Sequence, residues 1–262
     1  MKLRAPALFA PVLCASALLT LVLAAPAFAQ QGPECAAGAS VDTRLAAALA
    51  KPDRPDKVKA NDPVRDSENR FMLQYVQPGD HVLDLGAGGG YSTWLLSAAV
   101  CAGGVDSQNP AQWVSSQGAQ DARNALATAR SNVHLVTSDF DKVPVPATPY
   151  DIIFIGTIYH DTYNMPGADG VRMDKNLYAT LKPGGLVVVI DHSALAGAGA
   201  TTTNTLHRID KAQVLSDFKA AGFQLVSDSN VLANPADDRT LKVFDPAIRG
   251  HTDRMALVFK KP

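Results

Sequence analysis

The sequence predicts an α/β protein in which a largely parallel sheet carries helices on both faces. Three observations point there. From Asp66 onward, short apolar runs alternate with amphipathic stretches, as strands joined by crossover helices do. The apolar run Val82-Leu83-Asp84-Leu85 passes into the glycine loop Gly86-Ala87-Gly88-Gly89-Gly90, and a helical pattern opens at Tyr91. Lys182-Pro183-Gly184-Gly185 closes a helix and opens a strand, because proline cannot continue a helix and glycine permits the sharp turn. Composition agrees. Of 262 residues, 47% are hydrophobic and 19% charged, with 24 Lys+Arg against 25 Asp+Glu. That balance excludes a disordered chain and a basic surface that coats nucleic acid, and it points to a small-molecule partner.

Taken in order, the chain opens with Lys2 and Arg4, an apolar run from Ala7 to Ala25, and Ala27-Phe28-Ala29. This is the pattern of a secretory signal peptide over residues 1–29, and it implies a periplasmic or secreted protein with no stable membrane insertion after cleavage. An uncleaved anchor is the alternative on length, and Pro6, Pro11 and Pro26 weigh against it. Cys14 leaves with the signal. Cys35 and Cys101 remain, an even count in an oxidising compartment, as a disulfide or as two idle thiols. Residues 30–63 read as an extension, with a short helix at Thr43–Ala50 and a Pro- and charge-rich linker at Lys51–Pro63.

Residues 64–262 form the main domain. Its strands are expected at His81–Leu85, Gly104–Gln108, Val133–Ser138, Asp151–Gly156, Leu186–Asp191, Gln224–Asp228 and Arg254–Phe259. Helices are expected at Tyr91–Val100, Ala119–Arg130, Val171–Leu181 and His207–Ala221. No long helix separates the last two strands, so they should pair antiparallel across the segment Ala233–Asp253.

Glycines are needed where a ligand presses on backbone, so the loop at Gly86–Gly90 is a nucleotide-type site. It is not the dinucleotide fingerprint, because Tyr91 stands where the third glycine would be. Nor does it end in the Gly-Lys-Ser/Thr of a triphosphate loop. Asp84 to Gly90 resembles the first motif of class I S-adenosylmethionine-dependent methyltransferases. More narrowly, Arg65-Asp66, Tyr159-His160-Asp161, Lys182 to Gly185, Asp191-His192-Ser193, Thr205 to Asp210 and Phe244 to Gly250 are similar to a group of exported predicted methyltransferases of bacteria.

That resemblance implies a Rossmann-like seven-stranded sheet, order 3-2-1-4-5-7-6 with strand 7 antiparallel, and S-adenosyl-L-methionine as cofactor. It puts Gly86, Ala87, Gly88, Gly90 and Tyr91 beside the donor, with Asp84 fixing the loop or the methionine amino group. The ribose-gripping acid of the superfamily falls at Asn109, which lacks the charge that strengthens such bonds. Asp139 and Phe140 take the adenine-binding place, unless Asp139 is a solvated turn acid.

Three histidines follow strand ends or open a helix on the side where α/β sheets bind ligands: His160, His192 and His207. Each is a candidate catalytic base for a hydroxyl or thiol acceptor. Asp210, three residues after His207 on the expected helix, would fix its tautomer. Tyr159, Asp161 and Arg249 are candidate substrate-binding groups, with Arg249 on a cap formed by the long hairpin segment. No metal motif is visible in the ligand spacing, so no metal is expected. Two other functions stay open: a methyltransferase-fold metabolite-binding protein without activity, and a metal-dependent enzyme using the scattered histidines.

Overall fold

The computed structural model describes Met1, residues 32–167 and residues 169–262; the signal peptide expected over residues 1–29 lies, Met1 aside, outside them. Gln31–Pro262 form one compact unit. It opens with α1 (Val41–Leu49), α2 (Asp56–Lys59) and α3 (Asp66–Tyr75). Then come β1 (His81–Leu85), α4 (Tyr91–Ala99), β2 (Gly104–Asn109), α5 (Gln117–Ala129) and β3 (Val133–Thr137). The second half is β4 (Tyr150–Gly156), α6 (Tyr159–Thr162), α7 (Gly170–Thr180), β5 (Leu181–His192), α8 (Thr203–Leu206), α9 (Lys211–Ala220), β6 (Gln224–Ser229) and β7 (Arg254–Lys260).

The seven strands stand in the order β3-β2-β1-β4-β5-β7-β6. All neighbours are parallel except β7, which runs antiparallel to both β5 and β6. Strand side chains alternate between faces, so each central strand feeds two cores. Val82, Val105, Phe154, Val188 and Val258 face one core with α1, α3, α4 and α5. Leu83, Leu85, Ile153, Ile155, Val189 and Leu257 face the other with α7 and α9. Asp84, between Leu83 and Leu85, is therefore turned to the α4 side.

Helix α3 and the short α2 are not among the elements expected from the sequence, and two expected elements start elsewhere. Strand β5 starts at Leu181, which pairs with Tyr150 before the register shifts to Ile152 and Leu186, so Lys182-Pro183-Gly184-Gly185 is a bulge inside the strand. The last long helix starts at Lys211 rather than His207, because Asp210 caps it by accepting the Ala212 amide at 2.9 Å.

The segment 32–63 packs within the same unit. Leu45 and Ala48 are buried, and Cys35 is bonded to Cys101 across a Cα separation of 5.8 Å. Arg54, wholly buried, donates to both carboxylate oxygens of Asp62 at 2.9 and 2.6 Å and to the Leu49 carbonyl. Asp62 in turn accepts the Tyr91 hydroxyl at 3.0 Å, which joins the segment to the helix after the glycine loop.

Candidate active site

The glycine loop is held from the next strand. Gln108 of β2 accepts the Gly86 amide at its side-chain oxygen, 3.0 Å, and the Ala87 amide at its carbonyl, 2.9 Å. Gly86, Gly88 and Gly90 have φ of 65°, 54° and 83°, a left-handed backbone that side chains resist. A Cβ on Gly86 would lie 2.8 Å from Ile158, whereas a Cβ on Gly88 or Gly89 would project into open space. The open side is a cavity of ≈ 470 Å³. Asp84, Gly88, Trp113 and Thr157 line it from the sheet side, and Lys57, Asn61 and Arg65 from the N-terminal segment.

Three ionisable groups besides Tyr91 sit in that wall, Lys57, Asp84 and Arg65. Asp84 is buried and accepts the Thr93 hydroxyl of α4 at 2.5 Å; burial pushes its carboxyl up to about 7. Arg65 lies over the Tyr91 ring, 4.1 Å from its centroid, and is paired with Glu68.

A second constellation stands at the C-terminal ends of β4 and β5. Asp191, fully buried, accepts the His160 backbone amide at 2.7 Å and bonds His160 Nδ1 at 2.8 Å. That bond makes Nδ1 the protonated nitrogen and turns Nε2 outward. His207 Nδ1 is 3.2 Å from His160 Nε2. Asp161 Oδ1 is 3.5 Å from His160 Nε2 and 3.7 Å from His207 Nδ1. Burial works against a charged His160, but the Asp191 carboxylate outweighs it and raises the imidazole above its ordinary value. Burial, and then His160 itself, lower His207.

The strand order, the reversed last strand and the glycine cradle after β1 define a Rossmann-like methyltransferase fold. The family model of protein-L-isoaspartate(D-aspartate) O-methyltransferase matches residues 67–213, more than half of the chain, and the chain belongs to that family. No curated protein sequence matches it. Among solved structures, a SAM-dependent methyltransferase from Aquifex aeolicus is similar at 18% identity and TM-score 0.54, covering 80% of this chain and 99% of that one. One from Mesorhizobium loti is similar at 16% and 0.53, covering 75% and 97%. The [4+2]-cyclase SpnF is similar at 18% and 0.57, covering 76% and 80%. At these identities the likeness is one of fold.

The protein is thus an S-adenosylmethionine-dependent methyltransferase, with that donor as its cofactor. The residues present fit it. Gly88 and Gly89 leave bare backbone where a Cβ would fill the cavity, Asp84 matches a methionine ammonium, and Arg65 matches a methionine carboxylate. Gly86, Ala87, Gly88 and Tyr91 line this cavity, and Gly90 caps α4 behind them.

Several other expected site residues take different places. Asn109 is fully buried; its side-chain oxygen accepts the Gly88 amide at 2.7 Å, and its NH2 points at the Gly88 carbonyl, 3.4 Å away. An amide can both donate and accept, so it clamps the loop rather than gripping a ribose. Asp139 is half exposed and bound to Lys142 at 2.7 Å, and with Phe140 it lines a neighbouring cavity of ≈ 510 Å³. Phe140 meets Trp113 edge to face, ring centroids 5.3 Å apart, and its ring lies against Gly86, but it does not line the donor cavity.

Tyr159 is a core residue, its hydroxyl donated to Asp174 at 2.9 Å. Asp210 binds the Gly197 and Ala212 amides and leaves His207 alone, because His207 sits with φ 56° at the end of α8, outside the helix that Asp210 caps. His192 bonds Thr252 at 2.8 Å, and burial lowers its imidazole to about 3, which makes it a weak base. Arg249 is exposed. The segment that carries it is tied down by the buried pair Arg208–Asp237, at 2.8 and 3.1 Å. That segment does reach the histidines through Phe244, whose ring centroid is 4.9 Å from that of His207.

Sequence reasoning missed Lys57, Asn61, Arg65 and Gln108. Only Arg65 carried a signal, as part of the Arg65-Asp66 block, and that block gave it no role.

Proposed function

We propose that the mature protein is an exported enzyme, freed of residues 1–29 as a signal peptide, that methylates a small molecule in the periplasm or outside the cell. The observation that carries this reading is the open backbone of Gly88 and Gly89 facing the cavity above buried Asp84. When bound, the donor supplies a methyl group activated by a sulfonium centre. The chain's own residues bind, orient and deprotonate. Asp84 and Arg65 hold the two ends of the amino acid part, and Trp113 walls the cavity. His160, fixed by Asp191, and His207 beside it take up the proton of the acceptor.

The family description names O-methylation at isoaspartyl and D-aspartyl groups. A carboxylate is already anionic and needs no base. A histidine pair backed by a buried carboxylate therefore favours a hydroxyl or thiol acceptor.

Titration calorimetry of the processed protein with S-adenosylmethionine and its demethylated product tests the donor site. Saturable binding of both is expected, and no heat from either at millimolar ligand overturns the reading. Labelled donor added with a periplasmic small-molecule extract tests transfer, with His160→Ala as the inactive control. A second reading, a metabolite-binding protein that transfers nothing, is favoured by Asn109, which stands where a ribose-gripping carboxylate is expected and instead clamps the Gly88 backbone. Donor bound without label reaching any acceptor supports it.

A further inference from the structure

We propose that His160, Asp161 and His207 bind a divalent transition-metal cation of the zinc class. Among the described residues, these three each offer one ligand atom, and the atoms lie within 4.8 Å of one another. The separations are more telling than the cluster. The edges of the triangle are 3.2, 3.5 and 3.7 Å. A tetrahedral ion with bonds of about 2.05 Å separates its ligands by about 3.3 Å, and an octahedral face at the same bond length by about 2.9 Å. The triangle is thus the size of a tetrahedral face, and a tetrahedral ion held by it takes its fourth ligand from water or an oxygen donor.

The surroundings are those of a metal histidine. Asp191, wholly buried, accepts a hydrogen bond from the Nδ1–H of His160, which fixes the tautomer whose Nε2 lone pair points at the triangle. Asn164 donates to Asp161 Oδ1 at 3.1 Å and to the Thr203 carbonyl at 3.3 Å, which ties the carboxylate to α8 just before His207. His207 itself holds a left-handed φ of 56°, unusual for histidine, and this places its Nδ1 toward His160. Two imidazoles and one carboxylate are acceptable donors for zinc. Asp161 and His207 are each 22% exposed at the side chain, so an ion can enter from solvent.

An ion on His160 Nε2 uses the lone pair that the proposed base needs, so the base role belongs to the metal-free protein; the inference does not depend on methyl transfer, and its test uses no donor. Full-length processed protein, purified without a histidine tag, is stripped with chelator, loaded with one equivalent of zinc chloride, desalted and assayed for bound zinc. About one zinc per chain is expected. Zinc at a hundredfold excess over Kd should also raise Tm by about 5 °C. Asp161→Asn keeps size, and the smaller asparagine of His207→Asn tolerates the left-handed backbone at position 207. Both variants should bind zinc at least tenfold more weakly, with an unchanged circular dichroism spectrum and an unchanged metal-free Tm. Wild-type protein that retains no zinc after desalting overturns the proposal. So does zinc binding that is equally tight in both variants.

Discussion

Asp84 has a carboxyl group that the fold makes costly to ionise. Alternation in β1 turns it against α4, where Thr93 offers one short bond and burial brings its pKa to about 7. A donor ammonium beside it favours the charged form. Donor affinity should therefore rise with pH as Asp84 ionises through about 7, and level off above. Asp84→Asn keeps the shape and the Thr93 contact but removes the charge. We expect it to bind S-adenosylmethionine at least about tenfold more weakly at pH 8, roughly 1.4 kcal/mol, and to lose the pH dependence. Calorimetry at pH 6 and pH 8 on both proteins checks this. A pH slope that survives in the variant assigns the titration to another group.

At the scale of the element, β2 shows the same economy of polar groups in a structural role. Asp106 accepts the Tyr150 hydroxyl at 2.6 Å and lies 3.5 Å from His81 and 3.3 Å from His134. Its bond raises His81 above 6.5. Burial opposes charge on Asp106, but the bonds from His81 and Tyr150 prevail and hold it below 3.8. The His81 contribution to stability is present below its unfolded value of 6.5 and fades as pH rises through the raised folded one. The Asp106 contribution is present above 3.8 and fades as pH falls through the lowered folded one. Asp106→Asn should thus cost most between about pH 4 and pH 6.5, about 1 kcal/mol after allowing for solvent screening. Urea unfolding at pH 5 and pH 8 should show the larger deficit at pH 5.

Elements were also where the sequence was most legible. Runs such as Ile152 to Ile155 and Val187 to Ile190 are buried on both faces of the sheet, so their continuous apolar character marks parallel strands without any alignment. The start of α9 was legible too, since Asp210 before Lys211 is an N-cap signal, but the pairing read between His207 and Asp210 hid it. The histidine triangle left no trace in the spacing. His160 and Asp161 come from α6, while His207 lies 47 residues after His160 at the end of α8, and only the return of that loop beside β5 brings them together.

For the whole molecule, the segment before α3 changes the meaning of the site. The sequence reads it as an extension and linker, because a charged, proline-rich stretch has no period to reveal what it packs against. Folded, it supplies Lys57, Val58 and Asn61 to the donor cavity, and two of the ties that hold it are the Cys35–Cys101 disulfide and the Arg54–Asp62–Tyr91 chain of bonds. The two pins should fail differently. The disulfide closes a loop of 66 residues and acts largely on the unfolded chain, so Cys101→Ser with Cys35→Ser should lose about 4 kcal/mol and about 10 °C in Tm. Donor affinity should stay within about twofold, because Arg54 still holds the wall. Arg54→Ala removes a wholly buried guanidinium from Asp62, which is itself partly solvated, and should cost less stability, about 2 kcal/mol. It frees the wall, however, and should weaken donor binding by at least about fivefold. Melting and calorimetry on the same two variants decide the matter. If the disulfide variant loses donor affinity as much as Arg54→Ala does, the wall is held by the covalent bond, and the buried ion pair only fills space.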